Sequence, residues 1–279
     1  MKLLILGAML SMALPTFANE ALLNAVKSSN FKEVDKIIKK DRTVNINYAD
    51  ENRITPLIHA SSVGNVEIVK RLLKARPDLN VVGNIYFERG MTALHVAIMN
   101  MHPEVAKLLI TAGADVNALD EKYEETPLHG VCYRGYPEIA QMLINRGAHA
   151  DQKNNIGNVP LGTAANYGHI EIINILLRAG VDINNNNDGH GIALFWAANG
   201  WVDSEELITV LLKAGSDINN QSDFGHTALM MAAYRGKLVT VKTLLKFGAD
   251  KNIKNYKNMT AYDLAKKNGH LEIAELLKL

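Results

Sequence analysis

Apolar and polar positions along this chain follow a pattern that starts again about every 33 residues. Each unit opens on a short turn and enters a helix of small residues that ends at a Gly. A second helix follows, entered by Glu with Ile or Val and carrying a Leu-Leu pair, and the unit closes on a Gly-Ala-Asp-like turn. The openings are Thr55-Pro56-Leu57, Thr92-Ala93-Leu94-His95, Thr126-Pro127-Leu128-His129, Val159-Pro160-Leu161, Ile192-Ala193-Leu194, Thr227-Ala228-Leu229 and Thr260-Ala261-Tyr262, at steps of 37, 34, 33, 33, 35 and 33 residues. A single globular core does not repeat in this way. A stack of helix pairs does, because each pair hides its apolar face only against its neighbours.

Local signals agree with that periodicity. Pro56, Pro127 and Pro160 stand near helix starts, where a missing N–H costs nothing. The Thr before such a start is placed to accept backbone N–H bonds as an N-cap. The first helices are Ala-rich (Ala97, Ala164-Ala165, Ala197-Ala198, Ala232-Ala233), which allows close approach. The second helices carry bulk at Leu72-Leu73, Leu108-Leu109, Leu176-Leu177, Leu211-Leu212 and Leu244-Leu245. Leu108 is expected to be a core residue whose truncation to Ala costs about 2–5 kcal/mol. Gly64, Gly135, Gly168, Gly236 and Gly269 mark helix ends that need a positive φ.

Thr126-Pro127-Leu128-His129, Gly168-His169-Ile170-Glu171-Ile172-Ile173 and Gly113-Ala114-Asp115-Val116-Asn117 resemble the ankyrin repeat, in its first-helix opening, its helix–helix junction and its exit turn. Ala21 to Asp41 resembles a degenerate N-terminal capping unit. The resemblance covers roughly residues 20 to 279. It implies an all-α ankyrin-repeat solenoid of about eight helix-turn-helix units with β-turn fingers. The units are a capping unit over 20–50, repeats starting near 51, 88, 122, 155, 188 and 223, and a C-terminal capping repeat over 256–279. It also implies a right-handed stack with a concave binding face, and protein binding rather than a reaction.

The N-terminus adds a localisation. Lys2 precedes an apolar run from Leu3 to Leu14, which Pro15 ends, and Thr16-Phe17-Ala18 supplies small residues for a signal peptidase. Residues 1–18 therefore read as a cleaved signal peptide, and 19–279 as the mature repeat domain. The run is too short to span a bilayer as a helix, so no stable membrane insertion is expected after cleavage. The formal charge of +1 falls to zero without Lys2, which argues against a nucleic-acid partner. One cysteine, Cys132, permits no intrachain disulfide. Export without disulfides fits a periplasmic or secreted protein, expected to be a monomer.

Candidate chemistry is sparse. The nine histidines show no His-Glu-x-x-His spacing, and there is no Cys-x-x-Cys. His95 and His129 are expected to bond turn backbone, and His169 and His270 to sit at framework positions after the inter-helix Gly. Cys132 reads as a buried small residue rather than a nucleophile. Asn184 to Gly189 has too few carboxylates for calcium. Catalytic residues, metals and cofactors are therefore expected to be none, and the array leaves no room for a separate catalytic domain.

The partner-binding candidates are departures from the repeat. The long step after Thr55 places its surplus at Gly83–Arg89, a longer finger carrying Tyr86, Phe87 and Arg89. The unit at Ile192 holds both tryptophans, Trp196 and Trp201. In the family the two variable positions before the inter-helix Gly face the concave side. Here they include Met99-Asn100, Tyr133-Arg134, Asn166-Tyr167, Asn199 and Tyr234-Arg235. Tyr and Arg recur as interface anchors. Tyr123 and Phe224 join them from finger tips. The expected function is a secreted, periplasmic scaffold binding a partner protein through this face and the finger tips. An exported effector acting on host proteins is the alternative.

Overall fold

The structure, a computed structural model, describes residues 17–85, 89–185 and 192–278. Eight helix–turn–helix pairs fall among them. They are α1 (17–27) with α2 (Phe31–Lys40), α3 (Pro56–Ser62) with α4 (Val66–Lys74), α5 (Ala93–Met99) with α6 (Pro103–Ala112), and α7 (Pro127–Arg134) with α8 (Pro137–Asn145). Then follow α9 (Pro160–Tyr167) with α10 (Ile170–Arg178), α11 (Ala193–Asn199) with α12 (Glu205–Lys213), α13 (Ala228–Arg235) with α14 (Leu238–Lys246), and α15 (Ala261–Lys267) with α16 (Leu271–Leu277). The all-α stack of helix pairs expected from the periodicity is what forms.

The chain makes two compact units. One comprises the residues up to Gly130 with Asn145–Ala148, and the other Val131–Ile144 with the residues from His149 onward. In the first, α3 packs on α5 while α2, α4 and α6 form a second row. In the second, α9, α11, α13 and α15 pack in succession, as do α12, α14 and α16. Ala60, Ala97, Ala164, Ala197 and Ala232 are fully buried at or near these first-helix contacts.

Helix starts are capped as their sequence requires. Thr55, Thr92, Thr227 and Thr260 accept from the N–H three residues on, and Thr260 with Asp263 closes a capping box. Gly64, Gly135, Gly168, Gly236 and Gly269 all take positive φ. The repeat at Thr92 has no Gly there; Met101 holds the same place at φ 61.

That left-handed residue sets the register of the core. The residue eight positions after it is buried in each case: Leu72, Leu109, Leu143, Leu176, Leu244 and Leu277. Leu108 is correspondingly only half-buried. The expectation that placed it in the core is corrected by one residue, because α6 presents Leu109 inward.

Turns are tied between neighbours by a recurring Asp-x-Asn pair, with Asn45 in place of the Asp in the first of them. In each, the Oδ1 of that leading residue accepts the N–H two residues on, as in Asp78 with Asn80 and Asp217 with Asn219. The Asn then accepts the next turn's Asp N–H: Asn47 from Asp78, Asn80 from Asp115, Asn184 from Asp217 and Asn219 from Asp250, at 2.8–3.0 Å. The Asn184 side chain is thereby committed to the fold; residues 186–191 of that run lie outside the described residues.

Candidate functional site

His95 is buried, with Nδ1 2.9 Å from the Thr92 hydroxyl and Nε2 3.0 Å from the Glu125 carbonyl. The carbonyl only accepts, so Nε2 carries the proton and Nδ1 accepts. Burial pulls its pKa down to about 4. His129 Nδ1 is bonded by the Thr126 hydroxyl at 2.9 Å. His102, His169 and His270 each reach back to a carbonyl of the preceding repeat, Ser62, Tyr133 and Tyr234, at 3.1–3.3 Å. Cys132 is fully buried, and burial pushes its thiol pKa up. Among the described residues, no three His, Cys, Asp or Glu side chains form a group able to hold a metal ion.

In the first unit, Tyr86 and Phe87 lie outside the described residues. Arg89 turns inward. Its guanidinium pairs with Asp120 at 3.0 Å and with Glu125, and lies 4.9 Å from the centre of the Tyr123 ring. The Asp120 carboxylate is fully buried and the Arg89 side chain 14% exposed. This charge is neutralised within the fold, and sequence spacing gave no sign of it. Met99 is half-buried, packing toward Gly130, and the Asn100 amide donates to the Ser62 carbonyl at 2.7 Å. Tyr123 is exposed at a finger tip.

In the second unit the candidates meet. The Tyr133 and Tyr167 rings contact edge to face at 4.7 Å between centres, and Tyr167 stacks toward His169 at 6.3 Å. The Trp201 side chain lies beside that of Tyr167. Burial, then the neighbouring Tyr133, raises the Tyr167 pKa. The Arg134 guanidinium lies 5.0 Å from the Tyr133 ring centre, with a buried Nε that has no hydrogen-bond partner. Arg235 Nε donates to Asn199 Oδ1 at 2.9 Å, and Tyr234 is exposed beside it. Phe224 stands 69% exposed at a finger tip, with Tyr256 77% exposed on the next finger.

Trp201 is the residue that the sequence reading left out of its site. It is 79% exposed, and its signal was the two-residue surplus in the step from Ile192 to Thr227. The extra residues make a turn docked on the preceding repeat. The Trp201 N–H donates to the Asn166 carbonyl at 3.0 Å, and a side chain on Gly200 would collide with that carbonyl. From the following repeat, Lys237 Nζ donates to the carbonyls of Ala197 and Val202 at 3.0 and 2.8 Å. Asp203 accepts from the Thr240 N–H and hydroxyl, both at 2.8 Å, and from the Val239 N–H. Trp196, by contrast, is half-buried and packs on Gly162.

The family model for ankyrin repeats matches three stretches, residues 22–120, 117–187 and 194–278. The chain belongs to the ankyrin repeat family. It is 32% identical to human B-cell lymphoma 3 protein over 231 residues, 81% of this chain and 50% of that protein. It is 40% identical to the probable 26S proteasome regulatory subunit p28 of Saccharomyces cerevisiae over 96 residues, 33% of this chain and 40% of that protein. The chain thus spans about half the length of the human and mouse B-cell lymphoma 3 proteins. Among solved structures, the ankyrin repeat domain of Bcl-3, described as a unique member of the IkappaB protein family, superposes with a TM-score of 0.63 at 31% identity. The match covers 81% of this chain and all of that one. Ankyrin repeats are protein-binding scaffolds.

Proposed function

We propose that this ankyrin-repeat protein is exported and binds a partner protein through the first-helix face of its second unit, supported by the finger tips. The observation that carries the reading is the Tyr133–Tyr167–Trp201 cluster. The Tyr133 and Tyr167 rings are in contact at the surface, and the exposed Trp201 stands beside Tyr167 on an inserted turn anchored by Lys237 and Asn166. Rigid aromatics bury much area at small entropic cost, and a standard interface needs about 800 Å² from each partner. Arg134, Tyr234, Arg235, Asn166 and Asn199 line the same run of first helices. Phe224 and Tyr256 offer a second, finger-tip contact.

Export rests on Lys2, the Leu3–Leu14 run and Ala18, and a periplasmic site of action on export without disulfides. No described helix is long and apolar enough to cross a membrane. N-terminal sequencing of the protein after expression tests this; a start at Asn19 supports export, and a retained Met1 contradicts it.

Binding is tested by capture with the tagged protein from a periplasmic extract and, separately, from a eukaryotic lysate. Stoichiometric capture of one protein, lost in a Tyr133→Ala/Tyr167→Ala/Trp201→Ala variant that keeps its helical signal, is the expected result. Retention by that variant contradicts it. Capture only from the eukaryotic lysate favours delivery to a host cell over a resident periplasmic role.

A further inference from the structure

We infer that the partner segment seated on this face is acidic, with carboxylates flanking an apolar stretch. The inference rests on the reading that the first-helix face of the second unit binds protein. Its own ground is the distribution of charge. Helices α7, α9, α11 and α13 carry two arginines, Arg134 and Arg235, and not one Asp or Glu. The carboxylates of these repeats lie elsewhere. Glu138, Glu171, Glu205 and Glu206 stand in the first turns of second helices. Asp182 and Asp217 tie the exit turns, and Asp203 is filled by Thr240 and Val239. The imbalance is local, since the whole chain carries a net charge of only +1.

The two arginines have neutral company. Arg134 lies over the Tyr133 ring with its Nε buried and unbonded, and Arg235 Nε is met by an amide oxygen. A carboxylate matches the guanidinium fork and forms the stronger, charge-assisted bonds. Tyr167 and Trp201 belong to the two repeats between those of Arg134 and Arg235, and offer apolar surface to the stretch between the acids. A nucleic acid fits less well, because such binding draws on many phosphate contacts and only two arginines stand here.

Selection from a random-peptide display library on the full chain tests this, with parallel selections on Arg134→Gln/Arg235→Gln and Tyr167→Ala/Trp201→Ala. The expected peptides carry more Asp and Glu than Lys and Arg. Their affinity should fall at least about tenfold in the arginine variant and fall again at high salt. Arg235→Gln alone, at an exposed position, should show part of this loss without touching the half-buried Arg134. Neutral or basic peptides that ignore the arginine variant yet need Tyr167 and Trp201 overturn the acidic inference and leave the binding face standing. Peptides indifferent to both variants overturn the binding face itself. No enrichment, or tighter binding of oligothymidylate lost in the arginine variant, also overturns the inference.

Discussion

Asp120 keeps its carboxylate wholly out of water, held by the Arg89 guanidinium and the N–H groups of Lys122 and Tyr123. Removing Arg89 strands that charge. Arg89→Ala is expected to cost about 3–5 kcal/mol in urea unfolding while leaving partner affinity unchanged; a stable variant with weakened binding would return Arg89 to the interface. His95 makes the fold acid-sensitive. Its pKa is about 4 when folded and about 6.5 when unfolded. The unfolded chain therefore binds the extra proton between these values, and stability falls as pH drops from 6.5 to 4, by up to about 3 kcal/mol. Chemical denaturation across that window, compared with His95→Gln, measures the slope. In the core, Leu109→Ala should cost about 2–5 kcal/mol and Leu108→Ala clearly less. Equal losses would refute the assigned register of α6.

The inserted turn before α12 is an element held from both sides. Lys237 donates to two carbonyls of the turn and helix it covers, and burial lowers its pKa to about 8. Lys237→Met leaves those carbonyls unmet at a cost of about 1–3 kcal/mol. The Trp201 amide, bonded to Asn166, should then lose its protection in hydrogen exchange ahead of the neighbouring helices. Unchanged protection would mean that Lys237 does not anchor the turn. The junction before α14 is held differently. Gly236 has φ 74, and a Cβ there would lie 2.5 Å from the His270 ring. Gly236→Ala is expected to lower the melting temperature by an amount matching at least about 1 kcal/mol.

For the molecule as a whole, the fold was legible because repetition multiplies weak local signals. The Thr caps, the glycines with positive φ, and the framework roles of His95, His129, His169 and His270 all follow from position within a unit. What sequence concealed lies between units. Arg89 meets a carboxylate in the next finger, a distance that no motif encodes. Met101 takes a left-handed φ without being Gly, visible only once the register is known. Trp201 stands beside Tyr167 only because its turn docks on Asn166. Variable positions mark where a binding surface lies; which side chains remain free there depends on pairings that the alignment of repeats does not show.

The measurement closest to the central claim uses Trp201 as its own reporter. In a Trp196→Phe background the only indole left is the exposed one. Adding the captured partner should shift its emission to shorter wavelength, protect it from acrylamide, and do so with the Kd obtained independently. Partner binding at the same Kd with Trp201 emission and quenching unchanged would contradict the account and move the interface elsewhere.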